Sequence, residues 1–201
     1  MMFFVFKCAL LVISAWSLLV SMVDAIEKLT SCQYNGGSGG STLYLDRHHV
    51  TCGDNFLTMH GLQICLLDQM RYAYRCGEAK GSNCRIQETS CQASGFGGKT
   101  YSSYLDRLPV VCPGNSALSG FVYKRCNPDQ SKYIMTCCDL PQTGFQCEER
   151  KTSCQTAGVD FKVIFLDRHR IDCGPGILQG FVLRRCDTNN IRYDYKCCYP
   201  K

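Results

Sequence analysis

"YLDRHHVTC", residues 44–52, returns as "YLDRLPVVC" at 104–112 and as "FLDRHRIDC" at 165–173. The shared frame is L-D-R-x-x-[V/I]-x-C, and its aspartates, Asp46, Asp106 and Asp167, stand 60 and 61 residues apart. An internal repeat is stronger evidence of architecture than length. Outward from the frame, T-S-C-Q opens at Thr30, Thr89 and Thr152, and the stretches "HGLQIC", "SGFVYKRC" and "QGFVLRRC" follow downstream. The chain therefore divides into residues 26–88, 89–150 and 151–201, three copies of one unit behind a leader of residues 1–25.

Asp, Arg, His and Cys within nine positions is a composition that metal or nucleophilic chemistry uses, and the copies decide against that use. Leu108-Pro109 stands where His48-His49 stood, so a histidine site would be missing from the middle unit. Adjacent side chains on a strand also point to opposite faces, which keeps His48 and His49 from one ion. His48, His49 and His169 are read as exposed or locally hydrogen-bonded. The recurrent pairs Asp46-Arg47, Asp106-Arg107 and Asp167-Arg168 are read as structural ion pairs that order a strand end. No metal or cofactor is expected.

Residues 1–25 carry an apolar run from Cys8 to Val23 and the small-residue pattern Val23-Asp24-Ala25, the form of a secretory signal cleaved before Ile26. Sixteen apolar residues fall short of the ~20 that span a bilayer. Secretion, with no membrane span after cleavage, is the expectation. Of the 17 cysteines, Cys8 leaves with the leader; the even, dense remainder of a secreted chain reads as disulfides.

The repeats constrain the pairing. Each unit has four cysteines in common: Cys32, Cys52, Cys65 and Cys76; Cys91, Cys112, Cys126 and Cys137; Cys154, Cys173, Cys186 and Cys197. Left over are Cys84 and Cys147, which trail the first two units, and Cys138 and Cys198, which complete doublets in the last two. A doublet exists only where a unit precedes, and a trailing cysteine only where one follows. The simplest pairing is Cys84 with Cys138 and Cys147 with Cys198, each joining one unit to the next. Within a unit three pairings are possible; second with fourth is favoured because both end strands, leaving first with third.

"MRYAYRC" (70–76) and "IRYDYKC" (191–197) alternate apolar and polar residues with period two, the pattern of half-buried strands. "ILQGFVLRR" (177–185) and its successor form a hairpin across "CDTNN". With "FKVIFLD" and "HRIDC" as two further strands, each unit holds about four. The fold expected is all-β, either a pseudo-threefold β-prism or trefoil-like barrel, or three separate stapled beads. Units of this size need staples because burial alone is marginal. The Gly-rich "NGGSGGST" (35–42) is read as a variable surface loop.

Functional chemistry is sparse. Every mature cysteine has a partner, and no enzyme is expected. Net charge is 0 for the first unit, +1 for the second and +4 for the third. Basic residues beside tyrosines in "DRHR", "LRR" and "IRYDYK" suit an anionic matrix polymer or glycan; nucleic acid is not expected of a secreted chain without a basic run. The reading is a secreted, non-enzymatic structural or matrix component making multivalent weak contacts. A lectin-like carbohydrate binder and a toxin or protease inhibitor, with loops such as "RCNPDQSK" or "DLPQTGFQ", are the alternatives.

The secreted protein is expected to begin at Ile26 and to gain sixteen hydrogens on reduction, read by intact mass. A persistent alkylatable thiol, or retention of residues 1–25, contradicts this.

Overall fold

The computed structural model describes residues 26–201 apart from 97–98, 142–143 and 159; the expected leader, with Cys8, lies outside the described residues. It contains three five-stranded antiparallel sheets, one built around each unit. The centre of each is a long hairpin: Asn55–Leu66 with Gln69–Lys80, Ser116–Asn127 with Gln130–Asp139, and Ile177–Arg185 with Asn190–Pro200.

The strand that follows each L-D-R does not join its own sheet. His49–Thr51 pairs with Ser116–Asn127 of the second unit, Val110–Val111 with Ile177–Arg185 of the third, and Arg170–Asp172 with Asn55–Leu66 of the first. This exchange closes a ring, so the units form one prism-like body around a pseudo-threefold axis and not separate beads. Each crossing strand anchors on one fully buried side chain, Val50, Val110 or Ile171. Its following cysteine then donates a backbone N–H to the neighbouring hairpin: Cys52 to Ser119 O (2.8 Å), Cys112 to Gln179 O (3.1 Å), Cys173 to Thr58 O (2.9 Å). Gly120 and Gly180 allow this approach, since a Cβ there would lie 2.5 and 2.7 Å from the carbonyl oxygens of Val50 and Val110.

L-D-R itself is not strand. Thr42–Arg47, Ser102–Arg107 and Val163–Arg168 are 3₁₀ helices. "FKVIFLD", expected as a strand, buries Val163 and Leu166, three residues apart, which is the 3₁₀ repeat. Thr42 with Leu45, and Ser102 with Leu105, repeat the spacing.

The trailing segments also change allegiance. Ser82–Glu88 adds to the second sheet and Phe145–Lys151 to the third, so in space the units divide ahead of 88 and 150. The eight disulfides are Cys32–Cys65, Cys91–Cys126 and Cys154–Cys186; Cys52–Cys76, Cys112–Cys137 and Cys173–Cys197; Cys84–Cys138 and Cys147–Cys198. Sheet membership reverses what they hold together. Cys84–Cys138 and Cys147–Cys198, expected to clamp unit to unit, staple a linker strand within one sheet. Cys52–Cys76 and its two counterparts, expected to act inside a unit, bind each crossing strand back to the sheet it left. Loops of 24 to 54 residues give each bond about 3–4 kcal/mol in the chain-entropy model.

On the axis lies a six-membered aromatic cluster. His60, Phe121 and Phe181 sit opposite Ile171, Val50 and Val110 respectively, so they are equivalent positions. Sequence matching hides this, because it sets Gly61 beside Gly120 and Gly180. The three rings form a triangle with centroid separations of 4.9, 4.4 and 5.1 Å. Tyr72, Tyr133 and Tyr193 surround it edge-on. T-S-C-Q holds those tyrosines: the hydroxyls of Thr30, Thr89 and Thr152 each accept the tyrosine N–H at 2.9 Å.

His60 is fully buried, and neither ring nitrogen has a hydrogen-bond partner among the described residues. Burial lowers its pKa from 6.5 to about 3. The unfolded chain then binds a proton between these values that the folded chain refuses, so stability falls as pH drops below 6.5, by about 1.4 kcal/mol per pH unit for one such group. His60→Phe supplies the side chain of the other two units. It is expected to raise stability at pH 7 by about 1–3 kcal/mol and to remove one proton's worth of acid slope, read by denaturant unfolding from pH 7 to pH 4. An unchanged slope refutes the assignment.

Candidate functional site

The expected Asp–Arg pairs are rearranged. Asp46 pairs with Arg125 of the second unit (3.3 Å) and Asp106 with Arg185 of the third (3.2 Å), so two of the three carboxylates tie neighbouring units together. Of the adjacent pairs only Asp106–Arg107 is within reach, at 3.8 Å. Asp167 makes no salt bridge among the described residues, because Ile64 occupies the position of Arg125 and Arg185. Desolvation, incompletely offset by Arg168, pushes its pKa up, the reverse of what a paired carboxylate shows. The arginines have a different task. Arg47, Arg107 and Arg168 lie 4.4–4.5 Å over Tyr44, Tyr104 and Phe165, three residues back on the 3₁₀ turn.

His48 and His169 are buried and not exposed; the Nδ1 of each shares a hydrogen bond with the hydroxyl of Thr30 or Thr152, at 3.1 Å. The same threonine oxygen accepts the tyrosine amide. Desolvation lowers both pKa values, that of His169 to about 4. Leu108 fills the same buried position in the second unit. His49 is exposed. Among the described residues no group of three or more His, Cys, Asp or Glu could hold a metal ion.

What distinguishes the units is the outer face of each sheet. On the first, two of three arginines are paired: Arg75 meets Asp172 at 3.5 Å, Arg170 meets Glu27 at 2.9 Å and Asp172 at 3.8 Å, and Gln63 links Arg71 to Glu27. The second sets exposed Ile86 opposite Thr136 and Val122 opposite Ile134, with Lys132 paired to Glu88 and Lys124 opposite Lys132.

The third face differs from both. The register brings Lys151 to Asp194 and Val182, Glu149 to Lys196 and Gly180, and Arg184 to Arg192. Arg192 is neutralised by Asp194 at 2.8 Å. Lys151, Arg184 and Lys196 enter no salt bridge among the described residues. Lys151 stands where the second face has Glu88, and Lys196 where it has Thr136. Between Glu149–Lys151 on one side and the Val111–Gly114 turn on the other lies a groove of about 540 Å³, with Asp194 and Lys196 in its lining.

Such strand-borne cations have fixed spacing, about 4.8 Å between strands and about 6.8 Å along one. A repeating anion can engage several at once without ordering a loop. Of the basic segments marked in the sequence, only Arg184, Arg192 and Lys196 reach this face. Arg168 is stacked on Phe165, Arg170 is neutralised on the first sheet, and Arg185 is paired with Asp106. Lys151 belongs here because the linker strand joins the third sheet, a pairing with no local signal.

Among the described residues no helix is long and apolar enough to cross a membrane. No protein-family model matches the chain, and no curated protein matches it. What stands is a disulfide-rich all-β protein of three repeats, of the cysteine usage typical of extracellular proteins.

Proposed function

We propose that this is a secreted, non-enzymatic component of an extracellular matrix that binds a polyanionic polymer or sulfated glycan through the outer face of its third sheet. One observation carries the reading: three cations that enter no salt bridge among the described residues, Lys151, Arg184 and Lys196, share one face, where the matching faces of the other two sheets leave Arg71 and Lys124 unbridged. Each contact is weak and screened, contributing less than about 1 kcal/mol, and affinity comes from several acting on one rigid face.

The protein is expected to bind a sulfated polysaccharide column and to elute with salt, since such contacts weaken as the Debye length falls below ~8 Å. Combined Lys151→Glu, Arg184→Glu and Lys196→Glu should lower affinity at least about tenfold, whereas Lys124→Glu on the second face should leave elution nearly unchanged. Equal elution of the triple variant and the parent rejects this face.

A lectin-like reading has one observation in its favour, a cavity of about 530 Å³ where loops of all three units meet: Gly36–Ser41, Thr100 with Tyr101, and Asp160 with Lys162. Binding that resists salt and yields to a simple sugar would favour that cavity instead.

A further inference from the structure

Linker strands cover one edge of the second and third sheets, which raises the question of what covers that edge in the first. There the edge belongs to Gln69–Lys80. Gln33–Tyr34 pairs with Gln69–Met70 and Lys28–Leu29 with Ala73–Tyr74. From Arg75 to Lys80 the strand pairs on one side only, with residues 55–59 of its own hairpin.

The open side has usable backbone groups. The carbonyls of Arg75 and Gly77 accept hydrogen bonds from the Thr58 hydroxyl (3.2 Å) and the Asn55 amide (2.7 Å), both on the paired side. By the alternation of an antiparallel ladder, Cys76 and Glu78 turn their N–H and C=O outward. Their counterparts Cys137 and Asp139 stand opposite Arg85 and Ser82 of a linker strand. Among the described residues no strand pairs with Cys76 or Glu78 on this side. Gly77 replaces the doublet cysteines Cys138 and Cys198, so whatever lies here is held without a disulfide.

We infer that this edge pairs antiparallel with the same edge of a second copy of the chain, joining two first sheets into one. The charge order of the segment selects that occupant. Glu78 and Lys80 are exposed and enter no salt bridge among the described residues. Run antiparallel against itself, the segment sets Glu78 opposite Lys80 of the second copy, and the twofold axis repeats the contact. A unidirectional pairing in register would oppose like charges, and a strand of a single charge sign would attract one of the two residues and repel the other. An unpaired edge is in any case a template for another strand. This pairing is independent of anion binding by the third sheet.

Sedimentation equilibrium of the disulfide-intact protein tests it, with amide hydrogen exchange as a site-specific readout. The expected result is a reversible monomer–dimer equilibrium, with slower exchange at Glu78 as concentration rises. Glu78→Lys should weaken dimerisation about tenfold, and Glu78→Lys combined with Lys80→Glu should restore it. Intact mass confirms that both variants keep all eight disulfides. A protein that stays monomeric, a dimer indifferent to Glu78→Lys, or a double exchange that fails to restore it would each overturn the inference.

Discussion

Everything in this molecule depends on a strand of two or three residues leaving its unit and completing the sheet of the next. The transfer places Val50, Val110 and Ile171 at zero exposure in a neighbour's hairpin, each burial stabilising the ring by about 1.5–3 kcal/mol. No unit can bury its own hairpin face without a donor from elsewhere. The disulfides Cys52–Cys76, Cys112–Cys137 and Cys173–Cys197 reinforce this dependence, because each ties a departed strand to the sheet of its origin.

Within that ring, the three units act as controls for one another. A feature present three times belongs to the frame: the threonine that holds a tyrosine amide, the arginine stacked on an aromatic ring, the buried leucine of the 3₁₀ turn. A feature present once is free of that requirement. His60 in place of phenylalanine leaves two buried ring nitrogens without partners, a cost that the aromatic triangle tolerates but does not need. Ile64 in place of arginine leaves Asp167 without its cross-unit cation, and desolvation shifts that carboxyl upward.

The three units and their strands were legible in the sequence because period-two alternation and a 60-residue repeat are local or near-local signals, whereas the choice between a fused ring and separate beads was left open. The pairing Cys84–Cys138 was legible because it followed from which units lack which cysteine. The exchange was not, since a short strand such as "HVT" reads the same whichever sheet it enters. The 3₁₀ turn at "FKVIFLD" was misread because β-branched and aromatic residues favour strands, and only the burial of Val163 with Leu166 shows the threefold period. The basic face was half visible. Arg184, Arg192 and Lys196 stand in marked segments, but nothing near Lys151 tells that its strand belongs to the third sheet.

The closed exchange also bears on how such a protein can change over evolutionary time. Solenoids grow or shrink by whole repeats because each repeat touches only its neighbours, and the ends carry caps. Here the last unit supplies the first, through Arg170–Asp172 against Met59–Gly61, so there is no end at which to add or remove a copy. Loss of one unit would strand a donor without an acceptor and open the aromatic triangle. Copy number is thereby locked, and divergence is confined to the outward faces, where the three sheets already differ most.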